Sequence, residues 1–119
     1  MVNVGVNQSA AVMRAPYGVF QSSKDAQALM EALMRAVIAI DQASRINLNG
    51  QDVDEWYGFL KTLSPQGKPS MLQDIDAGRK TEVEIFAGKV ADLGDRLGIP
   101  TPVNRTILST IRVLEQYPV

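Results

Sequence analysis

The spacing of the apolar residues constrains the fold most strongly, because Leu, Met, Ala and Ile recur every three or four positions over most of the chain. This is the repeat of a helix with one face turned towards a core, whereas a half-buried strand alternates apolar and polar residues. No segment shows sustained alternation of β-branched residues. The sequence therefore predicts an all-α fold, a compact bundle of about five to seven helices.

Residues that commonly start or stop helices mark the boundaries. Ser23 suits the N-cap of the longest predicted helix, which runs to about Ser44, and Gly98 ends a later one. The proline- and glycine-containing stretch 64–69 breaks the pattern. The predicted helices cover 1–13, 23–44, 52–63, 71 onward, 81–97 and 104–117, with a turn at 47–50. Acid-before-arginine pairs four positions apart mark exposed helix faces, and they are Glu31/Arg35, Asp41/Arg45 and Asp92/Arg96.

Charge and composition exclude several kinds of function. Twelve basic and 13 acidic residues give a net charge of −1, which provides no general attraction to nucleic acid or anionic lipid. Without cysteine or histidine there is no disulfide, no Cys/His zinc site and no Ser-His-Asp triad. No apolar stretch approaches the roughly 18 residues of a membrane span, and no secretory signal pattern is present. We expect a cytoplasmic protein without a metal site.

Two asparagines interrupt the apolar pattern near the start of the chain. Asn3 and Asn7 are four positions apart, so on a helix they lie one above the other on the same face. Their amides are suited to hold a substrate hydroxyl or carboxylate. The alternative is a pair of ordinary surface asparagines, and the spacing alone favours that alternative.

A second group of polar residues follows the break in the pattern. Ser70 and Gln73 have the spacing of a capping box, so helix capping alone explains both. Thr81 and Glu82 suit the start of the next helix, where an acidic side chain complements the helix dipole. Glu82 is the better candidate for chemistry, because Phe86 lies one turn further along its face and apolar surface desolvates a neighbouring carboxylate.

Several short motifs occur in order along the chain: NVGVN (3–7), PSMLQD (69–74), GR (78–79), TE (81–82), Gly88 and GIPTPVN (98–104). Together they resemble the C-terminal domain of the ketopantoate reductase (2-dehydropantoate 2-reductase) family. The resemblance extends over most of the chain, although the middle, 25–63, matches only in its helical character. A set of motifs in one order is far more specific than any single motif.

The resemblance implies that 1–119 is a helical substrate-binding domain, of the kind found in reductases similar to 6-phosphogluconate dehydrogenase. It would close over a 2-oxo acid beside NADPH bound by an N-terminal Rossmann domain. Hydride then passes to the C2 carbonyl of ketopantoate, giving pantoate for pantothenate biosynthesis, and an acid protonates the developing alkoxide. By the same resemblance Asn3 and Asn7 contact the substrate. Ser70 binds its carboxylate, Glu82 has the acidic catalytic role, and both are expected to face the other domain.

Two features of that family are not in this sequence. The family's lysine lies one helical turn before the first asparagine, which places it upstream of Met1, and no Gly-x-Gly-x-x-Gly motif is present. We therefore expect the chain alone neither to bind NADPH well nor to catalyse reduction. Gln8-Ser9 replaces a Pro-Leu pair of many relatives, and Gly67 replaces a substrate-binding asparagine of some, which leaves the particular 2-oxo acid open.

Two other interpretations of the sequence are kept. One is a free-standing helical interaction module, in which exposed apolar surface on the first helix favours a homodimer. The other is a related hydroxyacid dehydrogenase with a different 2-oxo acid as its substrate. A Rossmann motif and a lysine upstream in the full reading frame would favour an enzyme over the module.

Overall fold

The computed structural model describes residues 1–44 and 49–117, and every regular element in these two ranges is helical. Two π-helical segments, Asn3–Asn7 and Glu84–Gly88, run directly into the helices that follow them. The α-helices within the described ranges are α1 (Gln8–Met13), α2 (Tyr17–Ser22), α3 (Lys24–Ala43), α4 (Gly50–Leu60), α5 (Ser70–Asp76), α6 (Lys89–Leu97) and α7 (Pro102–Gln116). The predicted all-α class and the predicted number of helices are confirmed.

Helix α3 divides the core into two clusters, because it buries side chains on two sides. Met30 and Met34 are fully buried and pack with side chains of α2 and α4. Leu33, also fully buried, packs in a second cluster with side chains of α6 and α7. Each large apolar side chain buried in this way contributes roughly 1.5–3 kcal/mol, so α3 is the main support of the domain.

The first helical run, from the π-helical segment Asn3–Asn7 through α1, lies in the interior of the domain. It contacts α3, α5 and α7, and its residues from 4 to 11 are all buried. Gly5 allows this close packing, since a Cβ atom at that position would lie 2.5 Å from Cγ of Met34. The predicted exposed apolar surface on this helix is thus limited mainly to Met13, because other helices cover residues 4–11.

Most predicted boundaries agree with the structure to within a few residues. The Ser23 hydroxyl caps α3 by accepting a hydrogen bond from the Ala26 N–H at 3.2 Å. Gly98 ends α6 in the left-handed conformation, with φ of 70°. Short helix α2 was not predicted, because its six residues are too few to show a repeat. The π-helical segments were not predicted either, since a local change of register leaves no separate apolar pattern.

Two of the predicted features fall partly outside the described residues. The pair Asp41/Arg45 and the first half of the turn at 47–50 involve positions 45–48, whereas the other two predicted ion pairs form, Glu31 with Arg35 and Asp92 with Arg96. In the described ranges no helix has the length and apolar character needed to cross a membrane. The same ranges contain no group of three or more acidic side chains arranged to hold a metal ion.

A candidate substrate-binding surface

Three of the four predicted site residues meet in one hydrogen-bonded group, which we call the asparagine–serine cluster: Asn3, Asn7 and Ser70. The Asn7 amide nitrogen donates to Oδ1 of Asn3 at 2.9 Å, which confirms that the two asparagines lie on one helix face. The Ser70 hydroxyl donates to Oδ1 of Asn7 at 3.1 Å. The fold thereby joins residues that are 63 positions apart.

Within the asparagine–serine cluster the middle residue is buried and the outer two are exposed. Asn7 is 8% exposed, and its Oδ1 also accepts a hydrogen bond from the Met71 N–H at 3.3 Å. Asn3 and Ser70 are exposed. The amide nitrogen of Asn3 has no hydrogen-bond partner among the described residues. The cluster therefore presents one free amide donor and one hydroxyl to the surface, both oriented by Asn7.

The predicted capping box at the start of α5 is wrong. Pro69 is the N-cap of this helix, and no side chain caps it. The Ser70 hydroxyl points to Asn7, and the Gln73 side chain donates instead to the backbone carbonyl of Lys68 at 2.8 Å. The Ser70 hydroxyl thus bonds Asn7, which is distant in sequence, instead of capping its own helix. Ser70 is thus not required for capping, which removes the structural explanation that the sequence offered for it.

Glu82 lies apart from the asparagine–serine cluster, at the start of the helix that continues into α6. Its side chain is exposed, and its carboxylate has no hydrogen-bond or ion-pair partner within residues 1–44 and 49–117. The predicted desolvation beside Phe86 is wrong for this domain, because Phe86 is itself only half-buried and turns towards the second core cluster. Ser70 and Glu82 are both on the surface, as side chains that meet a second domain must be.

Thr81 has the structural role that the sequence suggested. Its hydroxyl accepts a hydrogen bond from the Val83 N–H at 3.2 Å, as a helix N-cap does. Its own N–H and hydroxyl both donate to one carboxylate oxygen of Glu115, at 2.6 and 2.9 Å. These contacts attach the beginning of the helix to α7 and leave Glu82, the next residue, projecting from a fixed backbone.

A buried glutamine next to the cluster was not predicted as a site residue. Gln8 is fully buried, and its amide nitrogen donates to the Val4 carbonyl at 2.7 Å while its oxygen accepts from the Ala87 N–H at 2.9 Å. The same nitrogen lies 3.4 Å from Oδ1 of Asn104, which is also fully buried. Gln8 stands between the polar residues Asn7 and Ser9 and its partner Ala87 is 79 positions away, so the sequence contained no local signal for it.

Two depressions of the surface lie away from the asparagine–serine cluster. Two open depressions of about 520 and 490 Å³ flank the pair formed by Glu84 and Arg112, and neither is lined by a residue of the asparagine–serine cluster or by Glu82. Arg112 donates to both carboxylate oxygens of Glu84, at 2.6 and 2.7 Å. These hydrogen bonds hold the pKa of the Glu84 carboxyl below its usual value. These two depressions therefore do not include the asparagine–serine cluster.

A dinucleotide cofactor does not fit this chain by itself. The usual pyrophosphate site combines a strand, a glycine-rich turn and the start of a helix. The described residues contain no strand, and the sequence contains no Gly-x-Gly-x-x-Gly motif. A cofactor of this kind therefore needs another domain.

The fold is an all-helical domain, and the asparagine–serine cluster lies at its surface. Residues 1–115 match the family model described as "Ketopantoate reductase PanE/ApbA C terminal". The chain belongs to this family, as the resemblance in its sequence predicted.

Individual relatives agree with this assignment. The chain is 32% identical over 116 residues to a 2-dehydropantoate 2-reductase of Pyrobaculum aerophilum, covering 96% of this chain and 40% of the relative. A dimeric ketopantoate reductase from Staphylococcus aureus superposes with a TM-score of 0.87 at 25% identity, over 97% of this chain and 40% of that one. A D-mandelate dehydrogenase, in a complex with NADH and anilino(oxo)acetate, shares the fold with a TM-score of 0.86 at 19% identity, over 97% of this chain and 48% of that one. The chain thus spans less than half the length of these relatives.

Proposed function

We propose that this chain is the substrate-binding half of a two-domain reductase, in which it works beside a Rossmann domain that binds NADPH. The proposed substrate is a 2-oxo acid, with 2-dehydropantoate as the first choice, and the product is the corresponding 2-hydroxy acid. The asparagine–serine cluster is the observation that carries this proposal. It joins Asn3, Asn7 and Ser70 on an exposed face, in a domain whose family consists of such reductases.

Ser70 is suited to bind the carboxylate of the substrate. When its hydroxyl turns to a ligand, Oδ1 of Asn7 keeps the hydrogen bond from the Met71 N–H and is not left without a partner. A hydrogen bond to a charged group contributes about 1.5–3 kcal/mol, compared with about 0.5–1.5 kcal/mol for a neutral one. The Ser70 hydroxyl therefore gains free energy when it gives up its hydrogen bond to Asn7 and donates to the substrate carboxylate instead.

Asn3 is suited to donate a hydrogen bond to an oxygen of the substrate. Its amide nitrogen is exposed, and its Oδ1 is held by the amide nitrogen of Asn7, which fixes the direction of the remaining N–H groups. Asn7 is largely buried, so its main contribution is to orient both Asn3 and Ser70. A small ligand then meets an Asn3 donor whose direction is set before it binds, and a Ser70 hydroxyl that gives up its hydrogen bond to Asn7 to bind the ligand.

Glu82 is suited to act where the two domains meet. NADPH, bound by the Rossmann domain, supplies the hydride that becomes bonded to C2, while the carbonyl oxygen gains a proton. Glu82 has an exposed carboxylate without a partner among the described residues, on a backbone fixed by Thr81. Domain closure would give this carboxylate its partners and complete the site. The lysine that the family uses for the proton is not in this chain.

The alternative of a free-standing interaction module receives little support from the first helix. Exposed apolar surface there was expected to favour self-association, but residues 4–11 are buried and Met13 is the exposed large apolar residue of this run. A homodimer remains part of the proposal, because a relative with this fold is dimeric. A cytoplasmic location is proposed with it, since 2-oxo acid reduction by NADPH belongs to general metabolism.

The proposal is tested on the native protein that contains this chain. NADPH oxidation is followed with 2-dehydropantoate and with a panel of other 2-oxo acids, including one with an aromatic substituent. Turnover of 2-dehydropantoate with the highest kcat/KM supports the proposed substrate, and preference for another 2-oxo acid moves the protein to the related hydroxyacid dehydrogenases. If the pure protein does not oxidise NADPH with any of the 2-oxo acids tested, the proposed function is contradicted.

A further inference from the structure

Gln8 connects the two helical runs that contain the proposed site residues. It directly follows Asn7, and its amide bonds the backbone of the π-helical segment Asn3–Asn7 through the Val4 carbonyl. Its oxygen accepts from Ala87, which lies in the π-helical segment Glu84–Gly88 shortly after Glu82. One buried side chain thus joins the helix of the asparagine–serine cluster to the helix of Glu82.

The two π-helical segments give Gln8 its partners. A π-helical turn departs from the regular α-helical hydrogen-bond register, and side chains often insert at such places. The Val4 carbonyl and the Ala87 N–H each belong to such a segment, and both bond to this one amide at short distances, 2.7 and 2.9 Å. An apolar side chain of the same size would leave both backbone groups without that partner in the interior.

Further contacts hold Gln8 itself in place. Its nitrogen lies 3.4 Å from Oδ1 of Asn104 in α7, and the Asn104 nitrogen lies 3.5 Å from the carbonyl of Leu33 in α3. Gln8 and Asn104 are both fully buried. The glutamine therefore belongs to a polar connection between four helical elements, and its amide has one fixed orientation.

We propose that Gln8 is a positioning residue that sets the distance between the asparagine–serine cluster and Glu82. It touches no substrate, and it acts by keeping the two surfaces of the site in register when the second domain closes. This inference rests on the proposed function. The adjacent Ser9 provides a matched control, because it is equally buried and polar but its hydroxyl has no partner in the described structure.

The hydrogen bond between Gln8 and Ala87 is tested first on the 119-residue chain, by a measurement that does not require catalytic activity. Amide hydrogen exchange of Ala87 is compared between the wild type, Gln8→Met and Ser9→Ala. Loss of the glutamine oxygen should accelerate exchange of the Ala87 amide by about tenfold or more in Gln8→Met, whereas Ser9→Ala should leave it unchanged. Unchanged exchange at Ala87 in a folded Gln8→Met variant overturns the proposed connection.

The positioning role is tested by steady-state kinetics on the native protein. A misplacement of the reacting groups lowers kcat, and we expect Gln8→Met to lose about 10- to 100-fold in kcat with KM changed by less than about threefold. Ser9→Ala should keep both constants. If the wild type is active and Gln8→Met is equally active, the positioning role of Gln8 is overturned and the proposed function stands. If the wild type itself is inactive, the proposed function is contradicted.

Gln8→Glu keeps the inference testable if the methionine variant does not fold. A neutral carboxyl group can both donate to Val4 and accept from Ala87, but a carboxylate cannot donate and is costly to bury. Burial raises the pKa of such a carboxyl. The variant should therefore keep the hydrogen bonds to Val4 and Ala87 at low pH and lose the one to Val4 as pH rises. The kcat of Gln8→Glu relative to wild type should therefore recover at least tenfold on acidification. A ratio independent of pH contradicts the positioning role.

Discussion

The Ser70 hydroxyl donates a hydrogen bond to Oδ1 of Asn7 at 3.1 Å, across 63 positions of sequence. Because Asn7 is buried and also bonds Asn3, this contact makes one unit of two segments that were recognised separately in the sequence. Asn7 orients the two exposed side chains and is itself tied to α5 through the Met71 N–H. The central consequence is that Asn3 and Ser70, the proposed substrate contacts, are brought together on the surface by the fold itself.

Replacing Asn7 should cost stability as well as function. Asn7→Ala removes the acceptor of the Ser70 hydroxyl and of the Met71 N–H, and we expect the free energy of unfolding to fall by about 1–3 kcal/mol. Urea denaturation of the 119-residue chain measures this change. Ser109→Ala is the control, because Ser109 is an exposed residue of α7 and its loss should cost less than about 0.5 kcal/mol. Equal stability of the Asn7 variant and the wild type would show that the hydrogen bonds contribute little.

Removing the hydroxyl of Ser9 should not destabilise the protein. This oxygen is buried without a hydrogen-bond partner in the described structure, so its desolvation is not offset. We expect Ser9→Ala to leave the free energy of unfolding unchanged or to raise it by up to about 1 kcal/mol. A loss of more than about 1 kcal/mol in the same urea experiment would indicate a partner that the structure does not contain.

A methyl group at Gly5 should disrupt the packing of the first helical run on α3. The added Cβ would lie 2.5 Å from Cγ of Met34 and 3.2 Å from the Met30 carbonyl oxygen, so Gly5→Ala should cost about 1–3 kcal/mol. Gly58→Ala is the matched control in α4. No atom lies within 4 Å of its Cβ position, and alanine there should stabilise the helix by up to about 1 kcal/mol. Thermal denaturation of the two variants should therefore shift in opposite directions, and equal shifts are incompatible with the close approach at Gly5.

The ion pair of Glu84 and Arg112 should make a small contribution to the free energy of unfolding, and this contribution should decrease as pH falls. Hydrogen bonds from Arg112 lower the pKa of Glu84 in the folded state. A lowered pKa means that the stabilisation is present above the unfolded-state pKa of glutamate and disappears as pH falls through the lower folded-state pKa. Both side chains are exposed, so the contribution is small and is screened by salt.

Thermal denaturation across the acid range tests this pair. The difference in Tm between the wild type and Arg112→Gln should be largest at neutral pH and low salt, and it should vanish at acid pH. The exposed Arg35→Gln variant is a suitable control, since Arg35 forms a longer bond of 3.4 Å with Glu31. A Tm difference that grows on acidification would contradict the conclusion that Arg112 lowers the pKa of Glu84.

The sequence was informative where structure depends on local repeats. Apolar spacing predicted the helix capped by Ser23 and the stop at Gly98, since both rest on residues close in the chain. The capping box that the sequence offered as one explanation for Ser70 does not form, because its hydroxyl donates to Asn7, 63 positions away. Gln8 was noticed only as a difference from relatives, because its bond to Ala87 spans 79 positions and no local pattern encodes it.

The site was predicted in the same uneven way. Spacing suggested that Asn3 and Asn7 share a helix face, and their hydrogen bond agrees with that. Their possible role came from the family resemblance, because two asparagines four positions apart have many structural explanations. Glu82 was expected beside apolar surface, but its side chain is exposed, while its neighbours Thr81 and Val83 are the buried residues at the start of its helix.

The most direct test of the proposed substrate-binding role is the kcat/KM of Ser70→Ala for the preferred 2-oxo acid, measured on the native protein. Ser109→Ala, an exposed serine on α7, is the matched control. Loss of a hydrogen bond to the substrate carboxylate should lower kcat/KM by about 10- to 100-fold, while Ser109→Ala stays within about twofold of the wild type. If folded Ser70→Ala retains the kcat/KM of the wild type, this face of the domain does not bind the substrate carboxylate.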